Sequence, residues 1–179
     1  QKSTDALINL GKIYKAGKFA EKDLEYAANC FKKASELKST EGTLQYAVCL
    51  NGGFGIDKDV KTAAKLFRQV ADKGNKTAQY NYAKLLYDGK NGVKKDVETA
   101  VEYFKMAADQ DVAVSMFYYA KILINGEGGV DKNKTEGEKY LKRYTKKVPK
   151  DDWLPETKKL LKVVGESDDE SDDDDDEED

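Results

Sequence analysis

Gly53-Phe-Gly-Ile-Asp-Lys-Asp-Val-Lys-Thr-Ala-Ala-Lys-Leu-Phe67 is the stretch that decides the fold. A glycine follows a helical run, a short loop ends in aspartate, and a second amphipathic run opens with small residues. Similar stretches return at separations of 36, 36 and 37 residues, around Gly17, Gly53, Gly89 and Gly126. Self-similarity at this period is typical of stacked helical hairpins, each of which completes the core of its neighbour. The repeat therefore favours a binding scaffold over an enzyme.

Three kinds of position recur in each copy. A small residue that permits close helix packing stands in the first helix, at Gly11, Ala47, Ala83 and Ala120. A residue suited to N-capping the second helix ends the loop, at Asp23, Asp59, Asp96 and Asn133. A large apolar residue on the buried stripe of the second helix follows, at Phe31, Phe67, Phe104 and Leu141. These positions predict four hairpins of two helices.

The stretch from Gly53 resembles the Sel1-like repeat, and Gly92-Val-Lys-Lys-Asp-Val-Glu-Thr-Ala100 followed by Tyr103-Phe-Lys-Met-Ala-Ala108 resembles it again. The resemblance implies an all-α fold, a right-handed α/α superhelix (solenoid) related to tetratricopeptide arrays. It also implies an adaptor that holds other proteins. We expect four repeats near residues 6–41, 42–77, 78–114 and 115–148. The end copies depart from the pattern at Lys18 and Gly137, which predicts distorted or capping units.

Charge divides the chain into a cationic body and an anionic end. There are 34 acidic and 31 basic residues, but 12 of the acidic ones lie in residues 166–179, which leaves a net charge of +9 before them. That segment has no apolar residue and cannot offset the entropy of ordering. We expect one solenoid domain over residues 1–165 and a disordered acidic tail over 166–179. A capping helix is predicted at 154–164, with Trp153 packed beneath it.

Three features of the sequence bear on the compartment. No apolar run is long enough to cross a membrane. The chain begins at Gln1, which we interpret as a processed or excised fragment, and it could be a regulatory domain of a larger protein. Cys30 and Cys49 fall in different repeats, which favours small buried packing residues over a redox role. We expect a cytoplasmic or nuclear protein, with the secretory pathway left open.

Enzyme chemistry has little support in the sequence. Histidine, the commonest general base and metal ligand, does not occur in the 179 residues. Gly53-Phe-Gly55 and Gly126-Glu-Gly128 begin like dinucleotide fingerprints, but neither has the third glycine or follows a strand. We expect no catalytic residue, no metal ligand and no cofactor.

Two rows on the first helices are the candidate binding surface. In a helical solenoid these helices line the concave side. One row offers amides and a phenol suited to a peptide backbone, and the other carries mainly lysine, which suits carboxylates. The candidate partner-binding residues are Asn9, Lys12, Gln45, Asn81, Lys84, Tyr118 and Lys121. The alternative is that they are simply polar residues on a solvated face. The predicted function is non-catalytic binding of a peptide or protein partner in this groove.

The acidic tail offers a second function. Such runs are either solubilising appendages or chaperone-like binders of basic proteins, and this one could also fold back over the cationic body. Ser167 and Ser171 precede acidic residues and are candidate phosphorylation sites. Nucleic acid is disfavoured as a partner, because Arg68 and Arg143 are the only arginines.

Overall fold

The computed structural model describes residues 2–165, so the predicted acidic tail, with Ser167 and Ser171, lies outside the described residues. Over that range the chain is all-α, as predicted, with nine α-helices joined by short loops and two 3-10 turns. The helices are α1 Lys2–Ala16, α2 Leu24–Glu36, α3 Thr40–Gly52, α4 Val60–Ala71, α5 Lys76–Asp88, α6 Val97–Asp109, α7 Ala113–Asn125, α8 Lys134–Lys147 and α9 Thr157–Gly165.

The helices fall into two compact units that meet in the sequence between Asp96 and Val97. In the first unit each helix from α1 to α4 packs against the helix that follows it. In the second unit α7 packs against α6 and α8, and α9 covers part of α7 and α8. The third hairpin begins with α5 in the first unit and ends with α6 in the second. A single solenoid domain over residues 1–165 stays a prediction.

Glycine ends the first helix of each hairpin, as the sequence predicts. Gly17, Gly53, Gly89 and Gly126 have φ between 60° and 71°, the left-handed region that side chains disfavour. Each glycine N–H donates to the carbonyl four residues earlier, at 2.8–3.0 Å. Each of these glycines therefore ends a helix and turns the chain into the loop.

Each loop is closed by a backbone hydrogen bond from its last residue to the preceding helix. The donor and acceptor pairs, 2.9–3.1 Å apart, are Asp23 and Tyr14, Asp59 and Leu50, Asp96 and Leu86, and Asn133 and Leu123. The side chains of Asp23, Asp59 and Asn133 also accept from the N–H three residues on, which confirms them as N-caps. One residue thus closes the loop and opens the second helix.

The core positions are those that the repeat predicts. Phe31, Phe67, Phe104 and Leu141 have no exposed surface. Gly137, where the earlier copies have alanine, is explained by Ile124: a Cβ added to Gly137 would lie 2.7 Å from Ile124 Cγ1. The Ile124 side chain occupies the space that an alanine methyl would need.

The last helix begins later than predicted, at Thr157 rather than Leu154. Pro155 keeps the residue before it out of the helical region, and the Leu154 N–H donates to the Tyr144 hydroxyl at 2.8 Å. Trp153 is half-buried, and its indole N–H donates to the Val148 carbonyl at 3.0 Å. Residues 153–156 therefore form a connecting segment tied to the end of α8.

Candidate functional site

In the first unit, two of the three predicted amides form a hydrogen bond within their own helix. Asn9 is exposed on α1, while Gln45 on α3 and Asn81 on α5 are half-buried. Gln45 Nε2 donates to Glu41 at 3.1 Å, and Asn81 Nδ2 donates to the Thr77 carbonyl at 2.8 Å. These two bonds orient the Gln45 and Asn81 side chains. An amide has two N–H donors and an acceptor oxygen, so each side chain keeps hydrogen-bonding groups that a ligand could use.

The predicted lysines of the first unit already have carboxylate partners. Lys12 on α1 lies 3.2 Å from Glu41 on α3, and Lys84 pairs with Asp88 one turn along α5. The Lys12 and Glu41 side chains are 52% and 41% exposed, and ion pairs this open contribute at most about 1 kcal/mol. A ligand carboxylate can therefore exchange with Glu41 at little cost.

In the second unit, Tyr118 and Lys121 lie one turn apart on α7. The Tyr118 ring stacks on Phe104, with centroids 5.0 Å apart and an interplanar angle of 11°. Lys121 is only 17% exposed and contacts two carboxylates, Glu127 at 3.9 Å and Glu156 at 2.5 Å. Of the three predicted lysines, Lys121 thus has the least exposed side chain.

The segment before α9 lies over this pair of residues. Leu154, Pro155 and Glu156 line a small pocket of about 150 Å³ together with Phe117, Tyr118 and Lys121. A turn over residues 154–157, closed by a hydrogen bond from the Thr157 N–H to the Leu154 carbonyl at 2.9 Å, therefore places an apolar residue, a proline and a carboxylate against the predicted aromatic and lysine positions. Apart from the break at Pro155, no sequence pattern indicates this contact, because it joins residues more than 30 positions apart.

A polar cluster fastens α8 to its neighbours in the second unit. The Tyr140 hydroxyl donates to Asp109, and Lys105 Nζ lies 2.8 Å from the same carboxylate. Burial alone would raise the pKa of Asp109, but the Lys105 and Tyr140 hydrogen bonds and the Arg143 charge outweigh it and lower that pKa. The Tyr119 hydroxyl donates to Glu136 at 2.8 Å. We assign this cluster to packing, since each group has a partner in the chain.

The two cysteines are free and buried, as the sequence predicts. Cys49 belongs to a core cluster with Ala27, Ala28 and Phe31. Burial raises the pKa of both thiols, and a raised pKa lowers the fraction of reactive thiolate. Both residues therefore act in packing.

Residues 2–165 lack two features that would indicate a membrane span or a metal site. Within this range no helix has the length and apolar character needed to cross a membrane. The same residues contain no group of three or more cysteine, aspartate or glutamate side chains arranged to hold a metal ion.

Comparison with known proteins identifies the repeat. A family model described as the Sel1 repeat matches four times, at residues 4–39, 40–75, 76–112 and 113–143. A protective antigen of uropathogenic Escherichia coli that displays an SLR fold is 21% identical, with a TM-score of 0.77 over 92% of this chain and 38% of that one. A Sel1 repeat protein from Oxalobacter formigenes is 21% identical, with a TM-score of 0.74 over 92% of this chain and 63% of that one. The chain thus spans less than two thirds of either structure. Curated protein sequences give no match.

Proposed function

Because the chain belongs to the Sel1 repeat family, whose members are typically non-catalytic scaffolds for protein–protein interaction, we propose that it is such a scaffold. The ligand we propose is an extended acidic segment of a partner protein. In the first unit such a segment lies along α1, α3 and α5, with its main chain against the amides and its carboxylates against the lysines. In the second unit a segment of the same kind lies on α7, at Tyr118 and Lys121.

The contact between Glu156 and Lys121 carries this proposal. The chain places a turn of its own, residues 154–157, on a predicted binding position, with a carboxylate 2.5 Å from Lys121 Nζ and Leu154 and Pro155 beside Phe117 and Tyr118. This position therefore accepts a carboxylate, the group that the lysine row is predicted to bind. A proline-containing segment loses little conformational entropy on binding, because proline restricts the unbound chain.

The first unit has the corresponding residues. Asn81 and Lys84 stand 37 positions before Tyr118 and Lys121, at the same places in the repeat. Asn81 replaces the aromatic ring with an amide that can bond to a peptide backbone. Lys84 keeps the positive charge and has its partner, Asp88, on the same helix. We therefore place the first contact of a partner segment on α5.

A labelled peptide with the sequence of residues 151–158, Asp-Asp-Trp-Leu-Pro-Glu-Thr-Lys, tests the proposal by fluorescence anisotropy on the full chain. Asn81→Ala with Lys84→Ala should weaken binding at least about fivefold, the effect of losing a hydrogen bond and a charge contact. Glu156→Ala should strengthen binding, because it removes the tethered competitor from Lys121.

Two control variants distinguish binding at a specific site from general electrostatic attraction. Lys32→Ala with Lys33→Ala removes two positive charges from the exposed surface of α2, one more than the Asn81→Ala, Lys84→Ala variant loses, and should leave affinity within about twofold. Glu138→Ala removes a carboxylate that pairs with Lys142 on α8 and should not strengthen binding. Equal effects of the groove and control variants would show general electrostatic attraction and overturn the proposal.

A further inference from the structure

A second pocket lies in the first unit, between α4 and α5. It is open to solvent and has a volume of about 360 Å³, near the lower end of the roughly 300–1,000 Å³ range of small-ligand pockets. Neither Asn81 nor Lys84 lines it. The lining residues are Lys61, Ala64, Lys65, Arg68, Tyr82, Leu86, Gly92 and Val93.

One wall of this α4–α5 pocket is cationic. Lys61, Lys65 and Arg68 are spaced by four and three residues along α4, so they share one helix face, and all three are exposed. None of the lining residues is acidic. Arg68 Nε lies 3.8 Å from Asp72, but those side chains are 64% and 50% exposed, and such a pair is weak.

The positive charge is not a requirement of the repeat. The positions that correspond to Lys61, Lys65 and Arg68 are Glu25, Asn29 and Lys32 in the first hairpin, and Glu98, Glu102 and Lys105 in the third. The same helical framework therefore forms with carboxylates at the first position. In the fourth hairpin the corresponding residues are Thr135, Lys139 and Lys142, so α8 shares part of the positive charge. The charge at these positions thus differs among the copies, which argues for a role other than stability.

The floor of the pocket is apolar. Leu86 and Ala64 are buried there, and Val93 is half-buried. Burial raises the pKa of the Tyr82 hydroxyl, so it keeps its proton at neutral pH. Gly92 allows Lys61 to lie across the backbone, since a Cβ on Gly92 would fall 2.4 Å from Lys61 Cε. The cavity thus combines an apolar base with a cationic rim.

We propose that the α4–α5 pocket binds an acidic peptide segment of a partner protein that carries an aliphatic or aromatic side chain beside its carboxylates. The apolar side chain contacts Leu86, Val93 and the Tyr82 ring, and the carboxylates face Lys65 and Arg68. This occupant fits better than the chain's own residues 166–179, which have 12 carboxylates and no apolar residue. The site is separate from the rows of the proposed function.

Two labelled peptides test this inference by anisotropy on the full chain, Glu-Asp-Leu-Phe-Asp-Glu and Glu-Asp-Ser-Ser-Asp-Glu. The leucine–phenylalanine peptide should bind at least about fivefold more tightly, because only it buries apolar surface. Lys65→Ala with Arg68→Ala should remove most of that affinity. Lys32→Ala with Lys33→Ala, which lowers the charge equally, should change it by less than about twofold.

Several results would overturn the assignment. Equal binding of the serine peptide, of a peptide with the sequence of residues 166–179, or of a single-stranded oligonucleotide would show a general anion surface. Loss of binding in the Asn81→Ala, Lys84→Ala variant, with none in the Lys65→Ala, Arg68→Ala variant, would place the peptide on the rows of the proposed function. Absence of binding by the leucine–phenylalanine peptide at millimolar concentration would also reject it.

Discussion

Gly55 lies directly against the backbone carbonyl of Leu24, so closely that a Cβ on Gly55 would fall 1.9 Å from the Leu24 oxygen. The loop of the second hairpin thus rests on the start of α2 in the first hairpin. Gly128 repeats the arrangement in the second unit, where an added Cβ would meet Val97 at the start of α6, 2.4 Å from its Cβ. Contact between a loop and the second helix of the preceding hairpin is therefore a recurring part of the structure.

Gly55→Ala should be strongly destabilising, because the methyl group meets backbone that cannot move aside. Gly74 has φ 87° and no atom within 4 Å of an added Cβ, so Gly74→Ala measures the left-handed strain alone, roughly 1–2 kcal/mol. We expect Gly55→Ala to exceed Gly74→Ala by at least about 2 kcal/mol in urea unfolding. Equal losses for the two variants would show that the loop and α2 are not in contact.

Phe67→Ala and Phe104→Ala should each lower the free energy of unfolding by about 3–5 kcal/mol, the usual effect of emptying a buried phenylalanine site. Both side chains are fully buried, one in each unit. Phe19 is 88% exposed, so Phe19→Ala is the matched control and should change stability by less than about 0.5 kcal/mol. Losses below about 1 kcal/mol at both buried sites would contradict the core described above.

Alkaline pH should weaken the fold through Tyr119. Burial, followed by the hydrogen bond to Glu136, raises the pKa of its hydroxyl, whereas an unfolded tyrosine ionises near about pH 10. The unfolded chain then loses the proton first, so stability is fully present below about pH 10 and falls as pH rises toward the folded pKa. Urea unfolding at pH 9 and pH 11 measures the fall.

Tyr119→Phe removes this titration and should make the alkaline loss smaller. Tyr26 is 45% exposed, and Tyr26→Phe serves as its control, with the wild-type pH dependence retained. An identical alkaline loss in the Tyr119→Phe variant and the wild type would show that ionisation of Tyr119 does not limit stability.

Ending the chain at Gly165 tests the proposed roles of the acidic segment. If residues 166–179 compete for the lysine row, the shortened chain should bind the peptide of residues 151–158 more tightly at low salt. The gain should fade as the screening length falls from roughly 10 Å at 0.1 M to about 3 Å at 1 M salt. Titration calorimetry at both concentrations measures it.

Binding of a lysine-rich peptide tests the alternative function of residues 166–179. If residues 166–179 bind basic proteins, ending the chain at Gly165 should abolish binding of that peptide. Unchanged binding of both the acidic and the lysine-rich peptide would leave the segment as a solubilising appendage.

The features predicted well are those that local spacing encodes. Gly53 must adopt positive φ, Asp59 must cap α4, and Phe67 must lie on the buried stripe, because each is fixed within one hairpin. The contact of Glu156 with Lys121 could not be predicted in this way, since it depends on where the chain returns after α8. The α4–α5 pocket likewise needs Arg68 and Tyr82 on facing helices, a pairing that neither helix specifies alone.

The backbone bond that closes each loop, such as that from Asp59 to Leu50, has a consequence for evolution. Donor and acceptor always belong to the same hairpin, so duplication or deletion of a whole copy leaves every such bond intact. An array built this way can lengthen or shorten by unequal recombination without redesign of its turns. The exposed faces of individual copies can then change independently of the turns, and α2, α4 and α6 carry different charges at corresponding positions.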